Sequence, residues 1–264
     1  MSETRIYLDN TYMDVIQFGS GKKNLVIVSG ISLLGLEGLG NNIAKQYSAF
    51  ENDYTVYVID RKKDLPVGYH VTDMADDVYR LLRELEVDSA AFCGMSQGGA
   101  VCISLALEHP EIVEKLILIS AFARSTPLMK ANGLRWLELA KARKIPEVLA
   151  DMYDANYTEA LSSRLKSSLE DVLRKVTDED AERLEVLAKA CTNVDYLDDL
   201  SMIRCPVLVI ADKNDKTVGP EGSFEIADAL NCELVMFDQY SHAVYDEGAP
   251  EVHKKMIAFL KKKK

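Results

Sequence analysis

Short apolar runs at residues 24–28, 55–59, 90–93, 112–120 and 207–211 alternate with longer stretches of helical spacing. A strand that is apolar along its length has no face to give to water, so it belongs inside a parallel sheet with helices on both sides. The alternation therefore predicts an α/β fold with a mostly parallel central sheet flanked by helices. Its start differs. Residues 5–8 and 12–18 are rich in β-forming side chains around the turn Asp9-Asn10-Thr11, which predicts an antiparallel hairpin. Helices are predicted over 41–50, 97–109, 221–230 and 250–260, with a last strand at 233–237. A further amphipathic helix is predicted with Thr72 as its N-cap and Ala75, Val78, Leu81, Leu82 and Leu85 on one stripe. Asp73, Asp76 and Asp77 then fall in its first turns and on its solvated face.

The rhythm breaks at Phe122. Through residue 200 the chain loses its strand-like runs and reads as helices at 134–142, 146–153, 159–176 and 179–191, before the alternation resumes at Pro206. No internal repeat or low-complexity linker interrupts it. We read 1–121 and 203–264 as two parts of one core, and 122–202 as a helical cap inserted over the sheet. Phe122, Trp136, Tyr153 and Tyr157 are candidates to line a substrate-facing side of that cap. The alternative is that these aromatics only pack the insertion onto the sheet.

A chain of 264 residues with 48% apolar side chains has ample material for one large core. The formal charge of -11 disfavours a polyanion-binding surface, so nucleic acid is not an expected partner. The only basic run, 261–264, reads as a frayed, solvated helix end. The start of the chain has no signal-peptide pattern and no apolar run reaches membrane-spanning length, so a soluble, cytoplasmic protein is expected. Cys93, Cys102, Cys191, Cys205 and Cys232 lack ligand-like spacing, which predicts buried free thiols and no metal site. Oligomeric state is not legible.

The chemistry centres on Cys93-Gly94-Met95-Ser96-Gln97-Gly98-Gly99, between the run at 90–93 and a helical stretch. A serine in a G-x-S-x-G turn is lifted clear of the sheet only if the residues two before and two after it lack bulk. The following helix sets orphan N–H groups and a positive dipole end beside the hydroxyl, where an oxyanion is stabilised. Ser96 is thus the candidate nucleophile. It needs a base, and the base needs a buried acid. Of the histidines, His109 ends a helix, His253 lies in the lysine-rich last helix and His70 precedes a helix. His242 follows a strand in a small-residue loop and is the candidate base. The loop after the run at 207–211 offers Asp212 and Asp215 as the acid. Nucleophile, acid and base then occur in the chain order Ser, Asp, His.

Gly94 to Gly99, residues 208–220 and residues 241–260 together resemble the α/β-hydrolase family, and the likeness covers most of the chain. With Ile203-Arg204-Cys205-Pro206 it is similar to small carboxylesterases and enol-lactone hydrolases. The resemblance implies that the strand at 207–211 ends in a G-x-x-D turn whose fourth residue is the acid, giving Asp215, with Asp212 in place of the glycine. It also implies an oxyanion hole made by the backbone N–H groups of Gln97 and Ile31. The family's histidine-glycine pair reads Ser29-Gly30 here, which puts the geometry of that loop in question. Arg61-Lys62-Lys63 replaces a glycine-rich turn and reads as a solvated loop. The implied activity is hydrolysis of a small carboxylic ester or lactone through an acyl-enzyme, with no cofactor. The same triad also suits carbon-carbon bond or amide hydrolysis or acyl transfer. A receptor that keeps the scaffold with little turnover is the reading from another class. A dehalogenase is disfavoured, because Ser96 stands where a carboxylate nucleophile is needed.

Overall fold

The apolar runs become the centre of the sheet. In the computed structural model, which describes residues 1–262, the strands are β1 (Ser2–Leu8), β2 (Thr11–Phe18), β3 (Lys23–Val28), β4 (Tyr54–Ile59), β5 (Ala90–Met95), β6 (Val113–Ile119), β7 (Val207–Asp212) and β8 (Glu233–Phe237). They form one eight-stranded sheet in the order β1-β2-β4-β3-β5-β6-β7-β8. Pairing is antiparallel from β1 to β2 and β2 to β4, and parallel from β4 through β8. The hairpin strand β1 is exposed over most of its length, whereas every residue of β5 is buried.

The helices are α1 (Gly40–Gln46), α2 (Val71–Glu84), α3 (Gln97–Glu108), α4 (Pro127–Lys141), α5 (Ile145–Asn156), α6 (Glu159–Ser167), α7 (Leu169–Leu173), α8 (Asp178–Ala190), α9 (Pro220–Leu230), α10 (Val244–Glu247) and α11 (Ala249–Lys261). Because side chains alternate across a strand, each inner strand feeds two apolar cores. Val26, Val28 and Phe92 meet α2, α3 and α9 on one face. Leu25, Ile27 and Cys93 meet α11 and the Tyr47 to Phe50 segment on the other. A third cluster, including Trp136, Val148, Leu149 and Leu184, holds α4, α5 and α8 together between β6 and β7. The chain leaving β6 and the chain returning to β7 pair at their neck, where Ser125 N–H donates to Val194 and Tyr196 N–H donates to Ala123.

Several local expectations change. The predicted helix at 159–176 is two, α6 and α7, parted at Ser168; Ser167 Oγ turns back to donate to the Arg164 carbonyl, a bond that competes with helix continuation. Helix α2 starts at Val71 with His70, not Thr72, as N-cap, because Asp73 one turn in accepts the His70 N–H at 2.7 Å. Asp77 is buried, not solvated, and accepts from Tyr69 Oη at 2.5 Å and Lys62 Nζ at 3.0 Å. Cys93, Cys102 and Cys191 are buried as expected, while Cys205 and Cys232 are half-buried. Of the run at 261–264, Lys261 closes α11, whose last carbonyls accept from the buried Lys115 ammonium; Lys263 and Lys264 lie outside the described residues. Among the described residues no helix is long and apolar enough to cross a membrane.

Candidate active site

Ser96 stands at the junction of β5 and α3 with φ 52° and ψ -123°, a conformation costing a non-glycine residue roughly 1–3 kcal/mol. The surrounding packing compels it. A Cβ at Gly94 would fall within 3.0 Å of the Gly98 carbonyl, and one at Gly98 within 3.0 Å of the Val28 and Ser29 carbonyls. Only glycine at both places lets strand, turn and helix close so tightly. The Ser96 N–H donates to Ile119 in the neighbouring strand at 2.9 Å, which pins the turn.

Three side chains from separate loops form one hydrogen-bonded line. His242 Nε2 lies 2.9 Å from Ser96 Oγ, and Nδ1 lies 2.8 Å from Asp215 Oδ2. His242 and Asp215 are only 2% and 5% exposed. A carboxylate on Nδ1 fixes the tautomer with its proton there, leaving Nε2 free to accept the serine proton. Of the two aspartates in that loop, Asp215 reaches the imidazole. Asp212 instead accepts the N–H groups of Asn214 and Tyr240, both at 2.8 Å, so it braces the backbone. The remaining histidines are elsewhere: His109 stacks on Tyr79, His253 packs against Tyr47 and Phe50, and His70 caps α2.

Burial by itself would raise the Asp215 pKa. The charge and hydrogen bond of His242, with the N–H groups of Thr217 and Val218 at 2.8 and 3.0 Å, outweigh it and hold the carboxyl below the usual range. The unfolded chain therefore takes up this proton first on acidification. Stability from the group is complete above the unfolded carboxylate pKa, about 4, and is lost as pH falls through the lower folded value. Urea midpoints measured across pH 2–5 should fall more steeply for the native protein than for Asp215→Asn.

A cavity of about 30 Å3 adjoins Ser96, walled by Ile31, Phe122, Trp136 and, from α4 and α8, Gly133 and Ala188. Thr217 and Val218 also face it. Tyr153 and Tyr157 do not line it. Their rings meet edge to face 6.3 Å apart, and Tyr157 Oη donates to Asp246 at 3.0 Å. Gln97 begins α3, so its N–H has no acceptor within the helix. Its side chain accepts from Arg61 Nη2 at 2.9 Å and donates to the Leu187 carbonyl of α8 at 2.8 Å.

Arg61 overturns the expectation of a solvated basic loop. It is 3% exposed, donates from Nη1 to the Ser29 carbonyl at 2.6 Å, and lies 3.5 Å from Asp60, which also pairs with Arg183 of α8 at 3.2 Å. Ser29 Oγ donates to the same Asp60 at 3.1 Å. The loop between Ser29 and Ile31 is thus held by an arginine and an aspartate where the resemblance leads one to expect a histidine. Nothing in the sequence near Arg61 signals this, because the groups that accept its hydrogen bonds lie 32 and 36 residues away. Lys62 is bound to Asp77, and only Lys63 is solvated.

A mostly parallel sheet with an elbow serine, histidine and aspartate at its strand ends defines a hydrolase of the α/β class. A sequence family described as alpha/beta hydrolase fold matches residues 32–249, and the chain belongs to that family. It is 26% identical over 249 residues to a protein of Serratia proteamaculans (strain 568) named "Putative carbamate hydrolase RutD", covering 86% of this chain and 89% of that one. MGS-M2, an alpha/beta hydrolase enzyme from a Medee basin deep-sea metagenome library, superposes with a TM-score of 0.87 at 18% identity over 99% of this chain and 98% of that one. The enol-lactonase from Burkholderia xenovorans LB400 gives 0.85 at 21% identity over 98% and 100%. These two solved structures share the fold.

Proposed function

We propose that this protein hydrolyses a small carboxylic ester or lactone by way of an acyl-enzyme. The observation that carries the reading is the unbroken line from Asp215 through His242 to Ser96. His242 takes the hydroxyl proton as Ser96 Oγ attacks the carbonyl, and Asp215 stabilises the imidazolium that forms. The N–H groups of Gln97 and Ile31 receive the oxyanion, a contribution of roughly 3 kcal/mol per donor. His242 returns the proton to the leaving alkoxide; water, deprotonated by the same nitrogen, then releases the acid. Residues 122–202 act as the cap, with α4 and α8 enclosing the acyl group.

Cavity size and lining narrow the substrate. About 30 Å3 accommodates two or three water-sized groups, and the walls are mainly apolar, with Phe122 and Trp136 prominent. This favours a short, uncharged acyl chain. A second reading, a carbamate carbonyl attacked by the same serine, draws on the name of the Serratia relative. The deciding experiment is a panel of acetyl to octanoyl esters, small lactones and alkyl carbamates with purified protein. Acetyl to butyryl esters or lactones should lead; preference for the carbamates would favour the second reading, and no turnover of any would sink both.

Trp136 is the bulkiest wall of the pocket, and its indole N–H is anchored to Asp151 at 2.6 Å. Trp136→Leu should raise the hexanoate-to-acetate ratio of kcat/KM roughly tenfold or more, since each accommodated methylene contributes on the order of 1 kcal/mol. An unchanged ratio would place the acyl chain elsewhere.

A further inference from the structure

The end of α5 rests on both of the loops that carry the acid and the base. The Asn156 carbonyl accepts the N–H of Ala243, the residue after His242, at 2.8 Å. Its side-chain Oδ1 accepts the Thr217 hydroxyl at 2.6 Å, and the Thr217 N–H donates to Asp215 Oδ1 at 2.8 Å. Neighbouring residues seat the same segment. Ser241 Oγ donates to Ala155 at 3.4 Å, Tyr157 Oη to Asp246 at 3.0 Å, and Thr158 Oγ1 to Glu247 at 2.5 Å. Asp212 joins the stems of these loops from within the sheet. Asn156 joins their tips, beside the reacting groups.

We propose that Asn156 is a positioning residue: by tying Thr217 to the backbone beside His242, it sets the separation of Asp215 and His242 and aligns the pair for Ser96 only while α5 is seated. This deepens the reading of those three as the reacting groups and rests on it. The linkage gives Tyr157 a role away from substrate, since it locks the end of α5 against α10. It also makes seating of the inserted helices a condition for proton transfer, beyond their part in enclosing the acyl group. Misplacement by about 1 Å of groups that must exchange a proton costs up to about a hundredfold in rate.

The test removes the Asn156 to Thr217 bond from either side. Asn156→Ala and Thr217→Val are each expected to lower kcat roughly tenfold with KM within about twofold. The double variant should be no worse than either single one, and Thr217→Ser, which keeps the donor, should recover most of the rate. The downfield proton NMR resonance of the His242 Nδ1–H shared with Asp215 should shift or broaden in Asn156→Ala and Thr217→Val and return in Thr217→Ser. A packing role alone would lower the melting temperature and leave that resonance in place. Labelling of Ser96 by a fluorophosphonate should slow in step with kcat. Should Asn156→Ala fail to fold, Thr217→Val interrogates the same bond. Wild-type labelling rates with an unmoved resonance in these variants would overturn the positioning role. A native protein that takes no label at Ser96 would instead overturn the hydrolytic reading, and the resonance would still report on Asn156.

Discussion

Ser96→Ala is expected to reduce turnover of the best ester in the panel by at least about 10^4-fold while leaving the melting temperature within a few degrees of the native value. The two halves of that result have separate causes. Without Oγ nothing can form the acyl-enzyme, and what remains is the background assistance of the backbone donors and of binding. The fold, in contrast, loses one side-chain contact, the 2.9 Å bond to His242. Backbone strain at φ 52° is the same for serine and alanine, because both carry a Cβ. Kinetics on purified protein with a matched unfolding curve make the check. Turnover surviving in a well-folded Ser96→Ala protein would end the case for this nucleophile.

Gly98→Ala should give the opposite outcome, a protein that fails before its chemistry can be measured. The added methyl would meet the carbonyl oxygens of Val28 and Ser29, both backbone, at the end of a strand paired on each side with β4 and β5. A flexible side chain would swing away; a central strand in a close-packed sheet cannot. We expect a loss of about 3 kcal/mol or more, read as a fall in the urea midpoint or in soluble yield. Gly133→Ala is the control. Its Cβ would sit 3.4 Å from Ala188 and Thr192, an ordinary contact inside a helix, so stability should change by less than about 1 kcal/mol.

The sequence was most readable where periodicity carries the information. Strands buried on both faces announce themselves, and the turn around Ser96 is legible because steric need restricts its flanking residues to glycine. Choosing between Asp212 and Asp215 depended on the resemblance, since both occupy one loop and only the fold decides which reaches His242. Side-chain partnerships across the chain left no trace. Arg61 looked solvated beside two lysines, yet its partners are Ser29 and Gln97. Asp77 looked like a surface residue of α2 until Tyr69 and Lys62 closed over it. Tyr157 carries an aromatic ring suited to a pocket, but its hydroxyl is drawn away by Asp246. The short helix α10 offered too few residues for any repeat to register.

A guanidinium keeps its charge over the whole range in which proteins stay folded, whereas an imidazole does not. The brace that Arg61 provides beneath Ser29 should therefore keep its charge through neutral pH and into mild alkali, where an imidazole in its place would be neutral. A change of rate between neutral pH and mild alkali is therefore not to be traced to this loop.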